Sequence, residues 1–237
     1  LLPFLSEHGD DNLFAWVHYF DPHGPYRPPA RFRDMFLGDV LYGADPELLP
    51  HGSHAEGLPS IPKYVYDKGR DERRHYVAGY DGDLAWTDFE LGRLMDSLRV
   101  TSRNDTLVIV SADHGESMTE HERYFCHGSL YEHDLHVPMV VWAPGMKSGT
   151  RIAARTAQVE SLPTLLDYGG AGKRPGFAGQ SLRPAIEGAS LTAPPFSVAM
   201  VGRNENLRYA VIADNGLKAV TNGKGGLLEA YDLSTDP

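Results

Sequence analysis

Short apolar runs are separated along this chain by polar and glycine-rich segments, and the spacing within each run indicates the element that it forms. Three runs are dense in β-branched and aromatic residues and too short for a helix, which predicts buried strands over residues 13–20, 106–110 and 137–142. From residue 71 to residue 99, apolar positions recur at spacings of three, four and seven, which predicts one long amphipathic helix. The pattern indicates an α/β fold.

The last part of the chain has a different pattern. A loop and short helix over residues 158–168 and a glycine- and proline-rich linker over residues 171–190 precede it. Short β-like runs then follow, with Asn-Gly turn signals between them, over residues 196–201, 209–213, 217–221 and 227–233. The sequence therefore predicts a small antiparallel β subdomain over residues 191–237, after an α/β domain over residues 1–190.

The composition excludes several classes of protein. A net charge of −10 over 237 residues leaves no basic face to neutralise phosphates, which argues against a nucleic-acid partner. No apolar run approaches the roughly 20 residues that a membrane-spanning helix requires. The single cysteine, Cys126, excludes an internal disulfide. Nothing in the sequence indicates a compartment or an oligomeric state.

An acid and an imidazole, Asp113 and His114, emerge where the strand predicted at 106–110 gives way to a loop. Ligands of open α/β sheets gather at the carboxyl ends of strands, and this pair of side chains can ligate a divalent cation. The alternative is that Asp113 is only a turn or cap residue before Gly115.

Two further histidines lie in loops that follow apolar runs. His23 lies in a segment with four prolines over residues 21–29, and a rigid loop of this kind can hold a polar side chain in one place. With His127, it could donate to an anionic oxyacid ester and stabilise charge as the ester bond breaks. The alternative for His23 is a turn that satisfies only local backbone groups.

Other polar residues are assigned structural or surface roles. Residues 32–68 show no sustained period and are predicted to be a long surface excursion that covers the site. Within it, His51 and His54 are interpreted as exposed loop residues rather than ligands. Three carboxylates of the long helix are interpreted as part of a solvated face: Asp81, Asp83 and Asp88.

The stretch from residue 104 to residue 145 resembles the sulfatase branch of the alkaline-phosphatase-like superfamily. The resemblance is carried by Asp105-Thr106-Leu107-Val108-Ile109, Asp113-His114-Gly115-Glu116, Glu120-His121, His127-Gly128, Leu130-Tyr131-Glu132, Val137-Pro138 and Ala143-Pro144-Gly145. Further segments agree in the order of the family: residues 19–26 with its histidine loop, residues 163–167 and 179–182 with its following helix and linker, and residues 231–237 with its tail motif.

The resemblance implies an alkaline-phosphatase/sulfatase-like α/β fold, with a mixed or parallel sheet flanked by helices, and hydrolysis of a sulfate monoester of a small molecule or a glycan. Asp113 and His114 would be ligands of a divalent metal, most often calcium. Because imidazole is an unusual ligand for Ca²⁺, magnesium and manganese are alternatives. His23 and His127 are similar to residues that contact the sulfate group or the leaving oxygen.

The sequence departs from the family at the nucleophile. Sulfatases carry, near their N-terminus, paired metal-binding aspartates and a Cys/Ser-x-Pro-x-Arg signature whose first residue becomes formylglycine, and neither is present here. By resemblance, Cys126 is not the nucleophile and His121 has a structural role. The chain is therefore expected to be the middle and C-terminal part of such an enzyme. It would hold about half of the metal shell, with the formylglycine upstream, and would be inactive alone.

Other readings of the same residues stay open. Phosphonate monoester or phosphodiester hydrolases and transferases of phospho-headgroups, from the same superfamily, share the Asp-His metal motif and differ in nucleophile and pocket. A non-catalytic remnant or binding module would account directly for the missing nucleophile. The upstream sequence separates these readings, because a sulfatase, a phosphoryl-transfer enzyme and a remnant differ in the residue at the nucleophile position.

Overall fold

The structure, a computed structural model, describes every residue except 10, 39–47, 54–59, 102–104, 144, 173–174, 193, 195 and 237. The chain divides into two compact units. The first contains Leu1–Asn104 and Glu116–His127, and the second contains Asp105–Gly115 and Gly128–Pro237. The boundary expected between residues 190 and 191 stays a prediction.

The described residues form six α-helices: α1 (Leu2–Glu7), α2 (Ala30–Phe36), α3 (Arg73–Thr101), α4 (Glu132–Leu135), α5 (Ser161–Tyr168) and α6 (Arg183–Ile186). They also form ten strands: β1 (His51–Ser53), β2 (Ile61–Pro62), β3 (Val108–Ser111), β4 (Ser117–Met118), β5 (Tyr124–Cys126), β6 (Met139–Trp142), β7 (Phe196–Val201), β8 (Arg208–Ala213), β9 (Leu217–Asn222) and β10 (Leu227–Asp232). None of the described helices has both the length and the apolar character needed to cross a membrane.

The long helix α3 organises the first unit, and the helix predicted over residues 71–99 is confirmed. Helix α2 packs on it, with the Phe32 ring 5.2 Å from Trp86 and 5.7 Å from Phe89 between ring centroids. A second part of α3 contributes to the main apolar core, whose buried members are Leu49, Ile61, Val65, Tyr76 and Phe125.

The prediction that residues 32–68 form an irregular surface excursion is wrong for the helical residues and for the few buried ones, whereas residues 39–47 and 54–59 lie outside the described residues. Residues 30–36 form α2, and Leu49, Ile61 and Val65 are buried in the core of the first unit. The turn after β2 places Val65 inward, with its N–H donating to Pro62 O at 3.0 Å. Scattered apolar residues without a sustained period therefore supply part of a core, with Ile61 placed by β2 and Val65 by the turn after it.

The strand predicted over residues 13–20 is absent, because this segment has no regular structure and pairs with no described strand. Its large side chains are exposed, with 83% of Trp16 and 75% of Phe14 accessible to solvent. A strand is stabilised by backbone hydrogen bonds to a neighbour and by packing on a sheet face. The apolar pattern of this run predicts buried side chains, but the described residues do not cover them.

Two strands of the second unit carry the central motif. The strands predicted over residues 106–110 and 137–142 are confirmed as β3 and β6, which pair antiparallel with Val108 opposite Trp142 and Ser111 opposite Met139. The Ser111 hydroxyl donates to Pro138 O at 2.9 Å, beyond the last pair of the ladder. This pairing fixes the point at which β3 gives way to the Asp113-His114 loop.

The C-terminal strands form one antiparallel sheet in the order β10-β9-β8-β7, as predicted. A tight turn at Asn215-Gly216 joins β8 to β9, and Gly216 has a φ of +87°, which a glycine adopts without strain. One face of the sheet packs on Leu130, and Ala210 and Val220 are buried there. The two Asn-Gly signals correctly placed the β8–β9 and β9–β10 hairpins, and the apolar run over residues 196–201 placed β7.

A buried ion pair links this sheet to α4. The Lys218 side chain of β9 is only 2% exposed, and its Nζ donates to Glu132 Oε1 at 2.7 Å. Tyr231 of β10 lies nearby, with Lys218 Nζ 6.0 Å from its ring centroid. A buried ammonium needs a compensating anion, so α4 and the sheet depend on each other.

We expect Lys218→Met to destabilise the chain by about 2–3 kcal/mol, because it leaves Glu132 without its cation. This is at the low end for a broken buried pair, since Glu132 remains 27% exposed and water can partly solvate it. Urea unfolding at pH 7 measures the difference. Lys224→Met in the exposed turn between β9 and β10 is the matched control. A loss for Lys218→Met no larger than that of the control would contradict the prediction.

Candidate active site

The histidine loop, defined here as residues 21–29, lies against α3 where the helix has glycines. A Cβ atom added to Gly79 would lie 3.0 Å from Tyr26 Cβ, and one added to Gly82 would lie 2.7 Å from Pro28 Cγ. On the other side of the loop, a Cβ on Gly24 would lie 2.8 Å from Val65 Cγ2. The glycines of α3 mark close packing, as the sequence indicated, and they fix the loop that carries His23.

The His23 ring is held in a defined orientation by the loop itself. Its Nδ1 lies 2.7 Å from Gly24 O, and because a carbonyl oxygen only accepts, Nδ1 carries a proton. In the neutral ring, the second nitrogen Nε2 is then an acceptor, and in the protonated ring both nitrogens donate. The ring also lies 4.6 Å from the Phe20 ring and stacks on Tyr64 at 5.8 Å.

His127 is brought next to His23, with 5.1 Å between the two ring centroids. It follows β5 directly, and Arg123 Nη2 donates to His127 O at 3.3 Å. On its other side, His127 Nδ1 lies 3.7 Å from Oε1 of Glu116, whose side chain is only 5% exposed. The first unit therefore holds two imidazoles together and a buried carboxylate beside one of them.

Tyr26 lies on the buried side of this group. Burial and the nearby Glu116 charge raise the pKa of Tyr26 well above its usual value, so the phenol stays neutral. The Tyr80 phenol of α3 also stays neutral, because burial and the Glu116 charge raise its pKa to about 12. The Glu116 carboxylate thus has two neutral phenols and the His127 imidazole among its neighbours.

In the second unit, Asp113 and His114 follow β3 as predicted. The Asp113 carboxylate is 73% exposed, and its Oδ2 lies 3.8 Å from His114 Nε2. His114 Nδ1 lies 2.8 Å from Gly115 O, so it carries the proton and the lone pair is on Nε2. Gln158 Nε2 donates to the backbone oxygens of Ala112 and Asp113 and holds the start of the loop.

Gly115 closes the Asp-His turn by close contact with α4. Its N–H donates to Asp134 O at 2.8 Å, and a Cβ at this position would lie 1.9 Å from His133 O. Asp134 is itself buried and accepts from Ser129 N at the start of the same segment. Only glycine fits here, so the turn that presents Asp113 and His114 is fixed by sterics.

The donor set of this turn fits a divalent cation in part. A carboxylate oxygen and an imidazole nitrogen 3.8 Å apart can bind the same ion, and both side chains reach solvent. Among the described residues, no group of three or more His, Cys, Asp or Glu side chains is arranged to hold a metal. Asp113 and His114 could therefore supply two donors to a divalent cation, which needs more than two ligands.

The remaining predicted residues are placed as follows. The His51 ring stacks on Tyr66 at 4.1 Å, and its Nδ1 lies 3.2 Å from Asp71 Oδ1. His54 lies outside the described residues. His121 is exposed in a 3-10 turn with a φ of +52°, whereas Cys126 is completely buried. A thiol without solvent access cannot meet a substrate in this conformation.

Two residues near the site were missed or misassigned from the sequence. Glu116 was included in the motif, but no role was assigned to it. Asp83, interpreted as part of a solvated face, is 2% exposed, so that interpretation is wrong for this residue. A signal was present, because Asp83 follows Gly79 by four positions and Tyr80 by three, on the helix face that receives the histidine loop.

Comparison with known proteins identifies the family. The family model described as Sulfatase matches residues 1–171. Arylsulfatase K of Homo sapiens is 31% identical over 179 residues, which cover 71% of this chain and 33% of that protein. Choline-sulfatase of Rhizobium meliloti (strain 1021) is 26% identical over 258 residues, which cover 100% of this chain and 48% of that protein.

The fold agrees with this assignment. The solved phosphonate monoester hydrolase SpPMH from Silicibacter pomeroyi superposes with a TM-score of 0.79 at 22% identity, over 98% of this chain and 52% of that one. At this identity the likeness establishes the alkaline-phosphatase-like fold alone. The chain spans about a third of the length of arylsulfatase K and about half of that of choline-sulfatase. On the family match and the identity to arylsulfatase K, the chain belongs to the sulfatase family.

Proposed function

We propose that the protein to which this chain belongs is a metal-dependent hydrolase of sulfate monoesters. The observation that carries the proposal is the pairing of His23 and His127 at 5.1 Å in a member of the sulfatase family. The substrate would be a sulfate ester of a small molecule or a glycan. Sulfate esters are anionic, and imidazoles that can donate two hydrogen bonds suit their oxygens.

Asp113 and His114 would hold the divalent metal. When bound, the metal supplies positive charge that neutralises sulfate oxygens. The Asp113 carboxylate would bind through an exposed oxygen, and His114 through Nε2, because its Nδ1 proton is directed to Gly115 O. Calcium is the proposed ion, as in most members of the family, and magnesium and manganese are alternatives because imidazole is an unusual ligand for Ca²⁺.

His23 and His127 would bind the ester and move protons. His23 is oriented by its Nδ1 contact with Gly24 O, so Nε2 is the atom left to meet a substrate oxygen, and it donates to that oxygen when the ring is protonated. His127 lies against the Glu116 carboxylate, which stabilises a positive charge on its ring. A protonated imidazole beside the leaving oxygen would donate to the charge that develops as the bond breaks.

The nucleophile is not supplied by this chain, which has no Cys/Ser-x-Pro-x-Arg signature. We propose that a formylglycine upstream of these residues provides it, and that the chain alone does not turn over a sulfate ester. The fold similarity to a phosphonate monoester hydrolase supports one alternative, in which the same residues serve a phosphonate or phosphate ester. A non-catalytic remnant is the remaining alternative.

If Asp113 and His114 form a metal half-site, Ca²⁺ or Mn²⁺ will raise the thermal midpoint of this chain, and Asp113→Ala will remove the rise. A ligand that binds only the folded state stabilises it by RT ln(1 + [L]/Kd), about 2.7 kcal/mol at a hundredfold excess over Kd. The measurement is thermal unfolding during a metal titration to millimolar concentration.

The matched control for this titration is Asp214→Ala, which removes another exposed aspartate from a turn of the second unit. It should keep the full metal-dependent rise. Equal rises in wild type, Asp113→Ala and Asp214→Ala would show that the metal binds elsewhere. The half-site assignment would then be wrong.

In the longer protein that includes the upstream segment, we expect hydrolysis of an aryl sulfate to exceed that of an aryl phosphonate monoester. His127→Ala should lower kcat/KM for the sulfate by about 10²-fold or more, because it removes a donor to developing charge. Steady-state kinetics with both esters measure this. The control is His8→Ala, which removes a partly exposed histidine that contacts Asp11 and the Phe4 ring just after α1.

A higher kcat/KM for the phosphonate would favour the phosphoryl alternative over the sulfatase. Turnover of neither ester, by a protein that binds metal through Asp113, would favour the remnant. The three hypotheses therefore predict different kcat/KM values for the sulfate and the phosphonate ester.

A further inference from the structure

Asp83 of α3 is a buried carboxyl group that the proposed function does not use. It is 2% exposed, and its Oδ2 has no hydrogen-bond partner among the described residues. Asp88, five positions later on the same helix, is exposed. A carboxylate is seldom buried without an ion-pair partner, because removing its charge from water is costly. The burial of the Asp83 carboxyl group therefore needs a physical explanation.

The explanation lies in what faces Asp83. The backbone N–H of Arg27, in the second half of the histidine loop, donates to the Asp83 carboxyl group, and Asp21 at the start of the loop is close enough to interact electrostatically. One turn further along α3, Thr87 Oγ1 lies 3.5 Å from Asp21 O. The two ends of the loop are therefore attached to α3 at Asp83 and Thr87, with His23 between them.

The charge around Asp83 favours its neutral form. Burial and the Asp21 carboxylate raise the pKa of Asp83 to about 7, while the Arg27 N–H opposes the shift. From α2, Arg33 backbone atoms approach the neighbouring Gly82, but the Arg33 guanidinium is paired with Asp34 at 3.2 Å. Below this pKa, the loop is attached by a neutral carboxyl group that accepts the Arg27 N–H and does not repel Asp21.

We propose that Asp83 is a positioning residue that fixes the histidine loop, and with it the His23 imidazole, on α3. The loop attachment stands on the geometry of the first unit, whereas its consequence for turnover rests on the proposed function. The contact is made to the backbone of Arg27, so the Arg27 side chain is not required. An acceptor oxygen at position 83 is required, and a negative charge is not.

The pH dependence has a defined sign. The folded chain keeps the Asp83 proton up to about pH 7, whereas the unfolded chain releases it near the ordinary carboxyl pKa of 3.8. The contribution of Asp83 to stability is therefore complete below about pH 4 and is lost as pH rises through 7. Above that pH, two carboxylates face each other across the loop attachment. Asp83→Asn mimics the neutral form at every pH.

The test follows the His23 imidazole by NMR in this chain, with the resonance assigned through His23→Gln. Asp83→Asn should match wild type at pH 5.5 and differ from it at pH 8.5, where wild-type Asp83 is ionised. Thermal midpoints over the same range should fall with pH more steeply in wild type than in Asp83→Asn. The exposed-site control Asp88→Asn should follow wild type in both measurements.

A His23 resonance that is the same in wild type and Asp83→Asn at both pH values would overturn the proposal. A change in thermal midpoint without a change at His23 would also overturn it, because Asp83 would then be structural only. Neither measurement uses a sulfate ester. A negative sulfate ester assay therefore does not contradict the role of Asp83 in fixing the histidine loop. A negative NMR result for Asp83 likewise does not contradict the proposed sulfatase activity.

In the longer enzyme, Asp83→Ala removes the acceptor for Arg27 N–H and should lower kcat for an aryl sulfate about tenfold or more, while Asp83→Asn should restore it at neutral pH. Rescue by Asn distinguishes loss of the acceptor from loss of charge. If Asp83→Asn is as impaired as Asp83→Ala at pH 6 while remaining folded, the positioning role is refuted.

Discussion

A Cβ atom on Gly82 would lie 2.7 Å from Pro28 Cγ and 3.0 Å from Arg33 Cα, so α3 can receive the histidine loop only where it has no side chain. This contact positions His23, and through the ring contact of His23 with His127 it also organises the second imidazole. The cost is two helix-interior glycines, each less favourable than alanine by about 1 kcal/mol. Tertiary packing of a proline-rich loop, already limited in its conformations, offsets that cost.

In the second unit, a glycine fixes the turn that carries Asp113 and His114 in the same way. Gly115 passes so close to His133 O that no other residue fits, and its N–H is bound by Asp134 O. Side chains that act on a substrate must be held more exactly than a surface loop allows, and contacts between backbones are stiffer than contacts between flexible side chains. In both units, a close contact at a glycine fixes the backbone beside a histidine or aspartate of the candidate site.

The sequence predicted best what depends on near neighbours. The β7–β10 sheet was placed to within a residue or two because each hairpin turn lies beside the strands that it joins. The strand prediction for residues 13–20 failed because an apolar run indicates that its side chains are buried but does not indicate which segment buries them. The interpretation of Asp83 as a solvated residue failed for the opposite reason. The charge predicted solvent, and only the loop packed across Gly79 and Gly82, some 50 positions away in sequence, makes that helix face an interior one.

Cys126 is the chain's only cysteine, and it lies completely buried between Phe125 of the apolar core and His127. A thiol-specific reagent can therefore reach a single atom in this protein, and only when the first unit opens. The rate of labelling would report that opening directly, without an introduced probe. Labelling of Cys126 in the wild-type chain thus measures how often the region beside His127 opens to solvent.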